Sequence, residues 1–251
     1  MSVFGEDPNL TRMDAPARPQ NIDEKVLTHV PGLDKLMGGG FERNATICLF
    51  GGPGTGKTTL ALQILHNAAV TDGEPGLYIS FEQSRDEVYR FMKRMGYDLE
   101  ALEKKGLFTF KNYYPTHLQS FIKEDRGPIE KTIETIGATL LGIDSLTALA
   151  MVSEGEMERR RTFLKLFETV KIHNTTSIFT VEEHLTPDNI KSAYGTEFLA
   201  DGVVNLYNLR REWTRRLGLE IIKMRGVAFP RKIVPYTIES NGINVFPDLN
   251  L

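Results

Sequence analysis

Residues Leu49–Leu65 read LFGGPGTGKTTLALQIL, with four glycines and a proline between Gly51 and Gly56 and an apolar run directly after. A glycine loses more conformational freedom on folding than any other residue, so a purely packing element gains nothing from this density. The spacing supplies the reason. Gly51, four residues, then Gly56-Lys57-Thr58 match the phosphate-binding pattern G-x-x-x-x-G-K-[ST]. The flanks agree: Ala45 to Phe50 is a short apolar run suited to a buried strand, and Thr58 to Ala69 reads as a helix. Backbone N–H groups turned inward around an anion, with the partial positive charge of a helix N-terminus, make a phosphate cradle. Gly52, Pro53, Gly54, Thr55, Gly56, Lys57, Thr58 and Thr59 are the expected nucleotide contacts. Lys57 is expected at the β- and γ-phosphates of ATP, and the Thr58 hydroxyl at Mg²⁺.

Working outward, 251 residues suffice for one large α/β domain. The charge balance of 30 basic against 33 acidic residues gives −3, so no overall basicity points to a nucleic-acid partner. The single cysteine, Cys48, lies in the strand before the glycines and reads as a small buried hydrophobe. The five histidines show no metal-ligand spacing. No run of about 18 apolar residues and no signal peptide is present, so no membrane partner and a cytoplasmic location are expected.

Residues 1–22 carry three prolines without apolar periodicity and read as a flexible tail, leaving 23–251 as one domain. After the first helix come a strand at PGLYISF, a helix from about Arg85 to Met95, a strand at LFTFKNYY and a helix at PIEKTIETIGA. TLLGIDSLTALA reads as a fourth strand, Glu156 to Ile172 as an amphipathic helix and TSIFTVEE as a fifth strand. Strands alternating with helices imply a mostly parallel sheet flanked by helices. From Gly202 onward the pattern becomes strand–turn–strand, with C-terminal β-hairpins, the last expected to turn at Asn241-Gly242.

A phosphate cradle does not by itself activate water. Thr139 to Asp144 is an apolar run ending in an acid, as expected of a carboxylate that holds Mg²⁺ directly or through water. Asp201 is the rival, but it precedes a strand instead of ending one. For the general base the choice is Glu82, at the end of LYISF, because the C-terminal ends of parallel strands face the ligand crevice.

Gly32-Leu33-Asp34, GGPGTGKTTLALQIL, SFEQS, IDSLTAL, KMRG and NGINVFP, in this order, resemble one domain of the circadian-clock ATPase KaiC and its single-domain archaeal relatives. These belong to the RecA-like superfamily of P-loop NTPases. The resemblance covers roughly residues 25 to 248 and implies a RecA-like fold and Mg²⁺-dependent ATP hydrolysis. It also implies two adjacent glutamates after the second strand. This chain has Glu82-Gln83, so the first carboxylate is kept and the second is an amide. The family further implies a homo-oligomeric ring, usually a hexamer, with ATP at each interface. Lys223 and Arg225 of KMRG are then the cations that reach the neighbouring subunit's γ-phosphate. The expected role is a conformational switch, which implies a protein partner as well.

Two other readings are open: a single-stranded-DNA-binding recombinase paralogue, and an assembly scaffold with negligible turnover. The DNA reading draws on Arg159-Arg160-Arg161, on Arg210, Arg211, Arg215 and Arg216 around Trp213, and on the loop after the fifth strand. It is not favoured, because that loop carries Glu182, Glu183, Asp188 and Glu197 and the chain is net negative.

Overall fold

Strand β1 (Thr46–Gly51) is buried along its whole length, as its unalternating sequence requires of a strand covered on both faces. The structure is a computed structural model that describes residues 25–114, 127–211 and 213–251. The tail expected at residues 1–22 lies outside the described residues. β1 pairs in parallel with β5 (Thr176–Glu182) on one side and β6 (Gly202–Arg211) on the other. Beyond β5 follow β4 (Leu140–Asp144), β2 (Gly76–Ser80) and β3 (Phe108–Asn112), all parallel. Beyond β6 the pairing turns antiparallel through β7 (Thr214–Met224), β8 (Val234–Glu239) and β9 (Gly242–Val245). The order is β3-β2-β4-β5-β1-β6-β7-β8-β9.

Strand side chains alternate between the two faces of this sheet, and each face has its own core. Ile47 and Leu49 join the cluster that includes α2 (Lys57–Thr71), α3 (Arg85–Arg94) and α4 (Leu99–Lys104). Cys48 and Phe50 join the opposite cluster, with α5 (Pro128–Ile136), α6 (Leu146–Met151) and α7 (Glu156–Ile172). Two four-residue helices are also present among the described residues, α1 (Leu33–Leu36) and α8 (Thr196–Leu199). Cys48 is free and fully buried.

Two expectations need correction. The run TLLGIDSLTALA is a strand only as far as Asp144. Ser145 then caps α6, its side chain accepting from the Ala148 N–H. A short apolar run does not distinguish strand from buried helix, and the cap is what decides. The last hairpin turns at Ser240-Asn241, with Glu239 paired to Gly242. The left-handed residue is Gly242, at φ 101°.

Helix α2 is buried on nearly every side from Thr59 to Leu65, the signature of a helix with no solvent face. The sheet covers one side of it and the β8–β9 hairpin the other. Gln63 fastens that hairpin: its Nε2 donates to the Ile243 carbonyl at 3.1 Å and its Oε1 accepts from the Ile243 N–H at 2.7 Å. Tyr97 donates to the Asn241 carbonyl at 2.7 Å. Tyr236 donates to the Thr55 carbonyl at 2.6 Å, inside the glycine loop itself.

A Cβ on Gly242 would lie 2.2 Å from the Tyr97 hydroxyl and 2.7 Å from Gln63 Oε1. Gly242→Ala should therefore destabilise the fold strongly, and Gln63→Ala, which orphans two buried backbone groups, by about 1–3 kcal/mol. Denaturant midpoints of both variants measure this. A Gln63→Ala midpoint equal to the parent's would remove the hairpin from the support of α2.

Candidate nucleotide site

The loop between β1 and α2 takes its shape from left-handed glycines: Gly54 at φ 72° and Gly56 at φ 86°. Gly54 has open space where a Cβ would stand, whereas a Cβ on Gly56 would meet Ile238 Cδ1 at 2.8 Å. Gly52 is glycine for a different reason, since a Cβ there would approach His184 Nδ1 to 2.8 Å. Thr55 is buried and its hydroxyl donates to the Gly52 carbonyl at 2.8 Å, closing the loop on itself.

Lys57 opens α2 and is 6% exposed. Its Nζ donates to the Gly52 carbonyl at 3.2 Å and stands 3.9 Å from Glu182 Oε1. Burial pulls the ammonium below its ordinary pKa, while the carboxylates of Glu182, Asp144 and Glu82 pull the other way. Glu182, at the end of β5, is a carboxylate partner of Lys57 that sequence reasoning counted only as a loop acid. Its position at the end of an apolar strand was the available signal.

The neighbouring hydroxyl meets the expected acid. Thr58 donates to Asp144 Oδ2 at 2.7 Å, joining residues 86 positions apart. Asp144 also accepts from Tyr78 at 2.8 Å and from Thr180 at 2.5 Å, so hydroxyls from α2, β2 and β5 converge on it. Tyr78 gets there because β4 leaves room: a Cβ on Gly142 would lie 2.5 Å from the Tyr78 ring. Neither Tyr78 nor Thr180 was singled out from sequence. A hydroxyl and a carboxylate beside a buried ammonium form a hard oxygen donor set suited to Mg²⁺ with phosphate oxygens. The residues fit an ATP·Mg²⁺ group. Among the described residues no cluster of three or more histidine, cysteine or acidic side chains offers a metal site of its own.

Glu82 sits two residues past β2, whose last residue, Ser80, pairs with Asp144. Its carboxylate accepts from the Ser145 hydroxyl at 2.8 Å, which ties it to the residue next to Asp144. Partial burial raises the Glu82 pKa, the Ser145 bond lowers it, and the charges of Glu182 and Asp144 raise it, for a net upward shift. Lys57, Thr58, Asp144 and Glu82 are thus gathered at one end of the sheet.

Lys223 and Arg225 are not among them. Both lie at the other end, where β7 finishes beside the start of β6: Met224 pairs with Gly202, and Gly202 with Ile47. Five residue steps of β1 separate Thr46 from Gly51, about 17 Å at about 3.3 Å per residue. Lys223 Nζ donates to the carbonyls of Glu197 at 3.1 Å and Ala200 at 2.6 Å. Arg225 pairs with Asp201 at 3.0 Å and is 59% exposed. Asp201, the rival acid, therefore stands at the end of the sheet away from the glycine loop.

A central parallel sheet with this loop, a hydroxyl–carboxylate pair beneath it and a strand-end glutamate beside it define a P-loop ATPase of the RecA-like kind. The sequence profile of the KaiC ATPase family matches residues 26–250, and the chain belongs to that family. It is 32% identical over 235 residues to the circadian clock oscillator protein KaiC of Picosynechococcus, covering 89% of this chain and 45% of that protein. The chain thus spans about half the length of such clock relatives. It is 28% identical to a UPF0273 protein of Methanocaldococcus jannaschii, across 90% of this chain and 97% of that one. The crystal structure of a KaiC-like protein from Pyrococcus horikoshii superposes with a TM-score of 0.79 at 33% identity, covering 89% of this chain and 99% of that one. No helix among the described residues is long and apolar enough to cross a membrane.

If Glu82 serves as a general base it works only when ionised, so hydrolysis should then rise with pH along an acid limb centred above the ordinary glutamate range. Ser145→Ala deletes a hydrogen bond that favours the charged form and should move that limb to higher pH. A pH–rate profile of both proteins checks this, and a limb that stays in place would separate Glu82 from the rate.

Proposed function

We propose that the chain binds ATP with Mg²⁺ and hydrolyses it slowly at the interfaces of a ring of its own copies, usually six, as a conformational switch read by a protein partner. The observation that carries the nucleotide chemistry is the 2.7 Å contact between Thr58 and Asp144 beside the buried Lys57. Lys57 would hold the β- and γ-phosphates, Thr58 and Asp144 would hold the metal, and Glu82 would align water and take its proton. Mg²⁺, when bound, neutralises charge on the phosphate oxygens. Gln83 supplies an amide that orients water but accepts no proton. In such a ring Lys223 and Arg225, which lie at the far end of their own sheet from the glycine loop, act on a neighbour's nucleotide. Cations aimed at developing charge stabilise the transition state.

Trp213 favours a second reading, the binding of single-stranded nucleic acid. It is 92% exposed at the tip of the β6–β7 hairpin, beside Arg210 and Arg215. Oligonucleotide binding that weakens steeply with salt would support it. Phosphate release over time separates the switch from a scaffold of negligible turnover.

Lys57→Ala should abolish tight ATP binding while leaving the thermal transition of the apoprotein in place. Glu82→Gln should bind ATP normally and turn over about 10²-fold more slowly or worse, the usual scale for loss of a general base. Parent turnover in Glu82→Gln would place the base elsewhere.

Arg225→Ala should lose hydrolysis while each subunit still binds ATP. Arg225→Lys should already impair turnover, since lysine lacks the rigid fork of donors. Mixing Lys57→Ala with Arg225→Ala should restore part of the activity, because some interfaces then pair an intact loop with an intact arginine. Exchange of subunits without activity would defeat the shared-interface reading.

A further inference from the structure

Asp201 lies between α8 and β6, with its side chain 14% exposed. Its Oδ2 accepts from the Thr46 N–H at 3.0 Å and from the Thr46 hydroxyl at 2.9 Å. Lys171, at the end of α7, stands 3.0 Å from the same oxygen. Oδ1 accepts from Arg225 at 3.0 Å. The backbone adds a second layer, with the Asp201 N–H on the Thr46 carbonyl at 2.8 Å and the Arg225 N–H on the Asp201 carbonyl at 3.0 Å. One carboxylate therefore joins the first residue of β1, the last turn of α7 and the residue just after β7.

These partners differ in how far they can move. Thr46 is fully buried in the central strand, and Arg225 is more than half exposed. An ordinary exposed ion pair is weak because both side chains must be ordered to form it. Here the anion is already fixed by Thr46 and Lys171, and only the arginine remains to be held. One N–H of the guanidinium is engaged by Asp201, out of the five that the group carries. Among the described residues the rest of the fork has no other hydrogen-bond partner. The carboxylate is kept ionised as well: burial pushes its pKa up, but the bonds from Thr46 and Lys171 outweigh this and leave it below the ordinary range.

We infer that Asp201 is the positioning residue for Arg225, holding its guanidinium at this end of the sheet so that it meets the phosphoryl group of a nucleotide bound by the adjacent copy. Lys171 gives the carboxylate a second cation, so Asp201 stays neutralised when the arginine leans toward phosphate. The inference rests on the trans-acting reading of Arg225 above.

The test is complementation between impaired subunits, which separates this role from simple support of β1. Asp201→Asn should bind ATP like the parent and turn over about tenfold more slowly or worse, as expected when a charge-assisted contact to a transition-state group is lost. Mixed with Lys57→Ala, it should recover activity, because its intact loop then meets an intact Arg225 on a neighbour. Mixed with Arg225→Ala it should recover none, since every interface then lacks a properly held arginine. The reverse pattern would mean that Asp201 serves its own loop through Thr46 and β1, and would overturn the inference, as would parent turnover in Asp201→Asn alone. The control pair, Lys57→Ala with Arg225→Ala, isolates the premise: if the control fails, the shared-interface reading falls, and if it succeeds, only the role of Asp201 is at stake. Should Asp201→Asn not fold, Thr46→Val decides, since it keeps the strand and removes one bond fixing the carboxylate. It should show the same pairing pattern with a smaller loss, and parent-like turnover in it would overturn the inference.

Discussion

The carboxylate of Asp144 draws hydroxyls from Thr58, Tyr78 and Thr180, and these bonds fix α2, β2 and β5 relative to β4. Each hydroxyl comes from a different element, so none can shift without breaking a largely buried, charge-assisted hydrogen bond, the stronger kind. The geometry around them follows. The glycine loop is set by the start of α2, Glu82 by the end of β2 and Glu182 by the end of β5. A single acid at a strand end thus sets the mutual distances of groups that are far apart in the chain.

The second constraint is the burial of α2. A helix this apolar needs cover on both sides, and a sheet supplies only one. The β8–β9 hairpin supplies the other, fastened by Gln63 and reaching the loop through Tyr236 and Ile238. The β8–β9 hairpin is therefore part of the wall around the candidate site, although it contributes no group to the chemistry proposed above. The same sheet carries Lys223 and Arg225 at its opposite end, and β1 runs between the two ends, with Gly51 at one and the Asp201-bound Thr46 at the other.

The sequence showed most clearly what backbone chemistry demands. The loop was legible because only glycine serves at Gly54 and Gly56, and Asp144 because an apolar run stopped at an acid. A mostly parallel sheet followed from the alternation of strands with helices, and the burial of β1 from its unbroken apolar run. Other features were hidden because they arise from contacts between distant positions. Nothing in the local sequence says that Gly142 makes room for Tyr78, that Gly52 yields to His184, or that Gln63 bonds both backbone groups of Ile243. Helix α6 was hidden for another reason: its residues suit a buried strand equally well, and only the Ser145 cap distinguishes the two.

The support of the glycine loop also has an order in time. Gln63 and Thr55 wait for Ile243 and Tyr236, partners about 180 positions downstream. During translation the complete phosphate-binding signature leaves the ribosome long before the strands that brace it. A nascent chain halted ahead of Tyr236 displays every residue of the motif, while its helix still lacks one wall. Bracing of the glycine loop therefore waits until the chain has been made through β9.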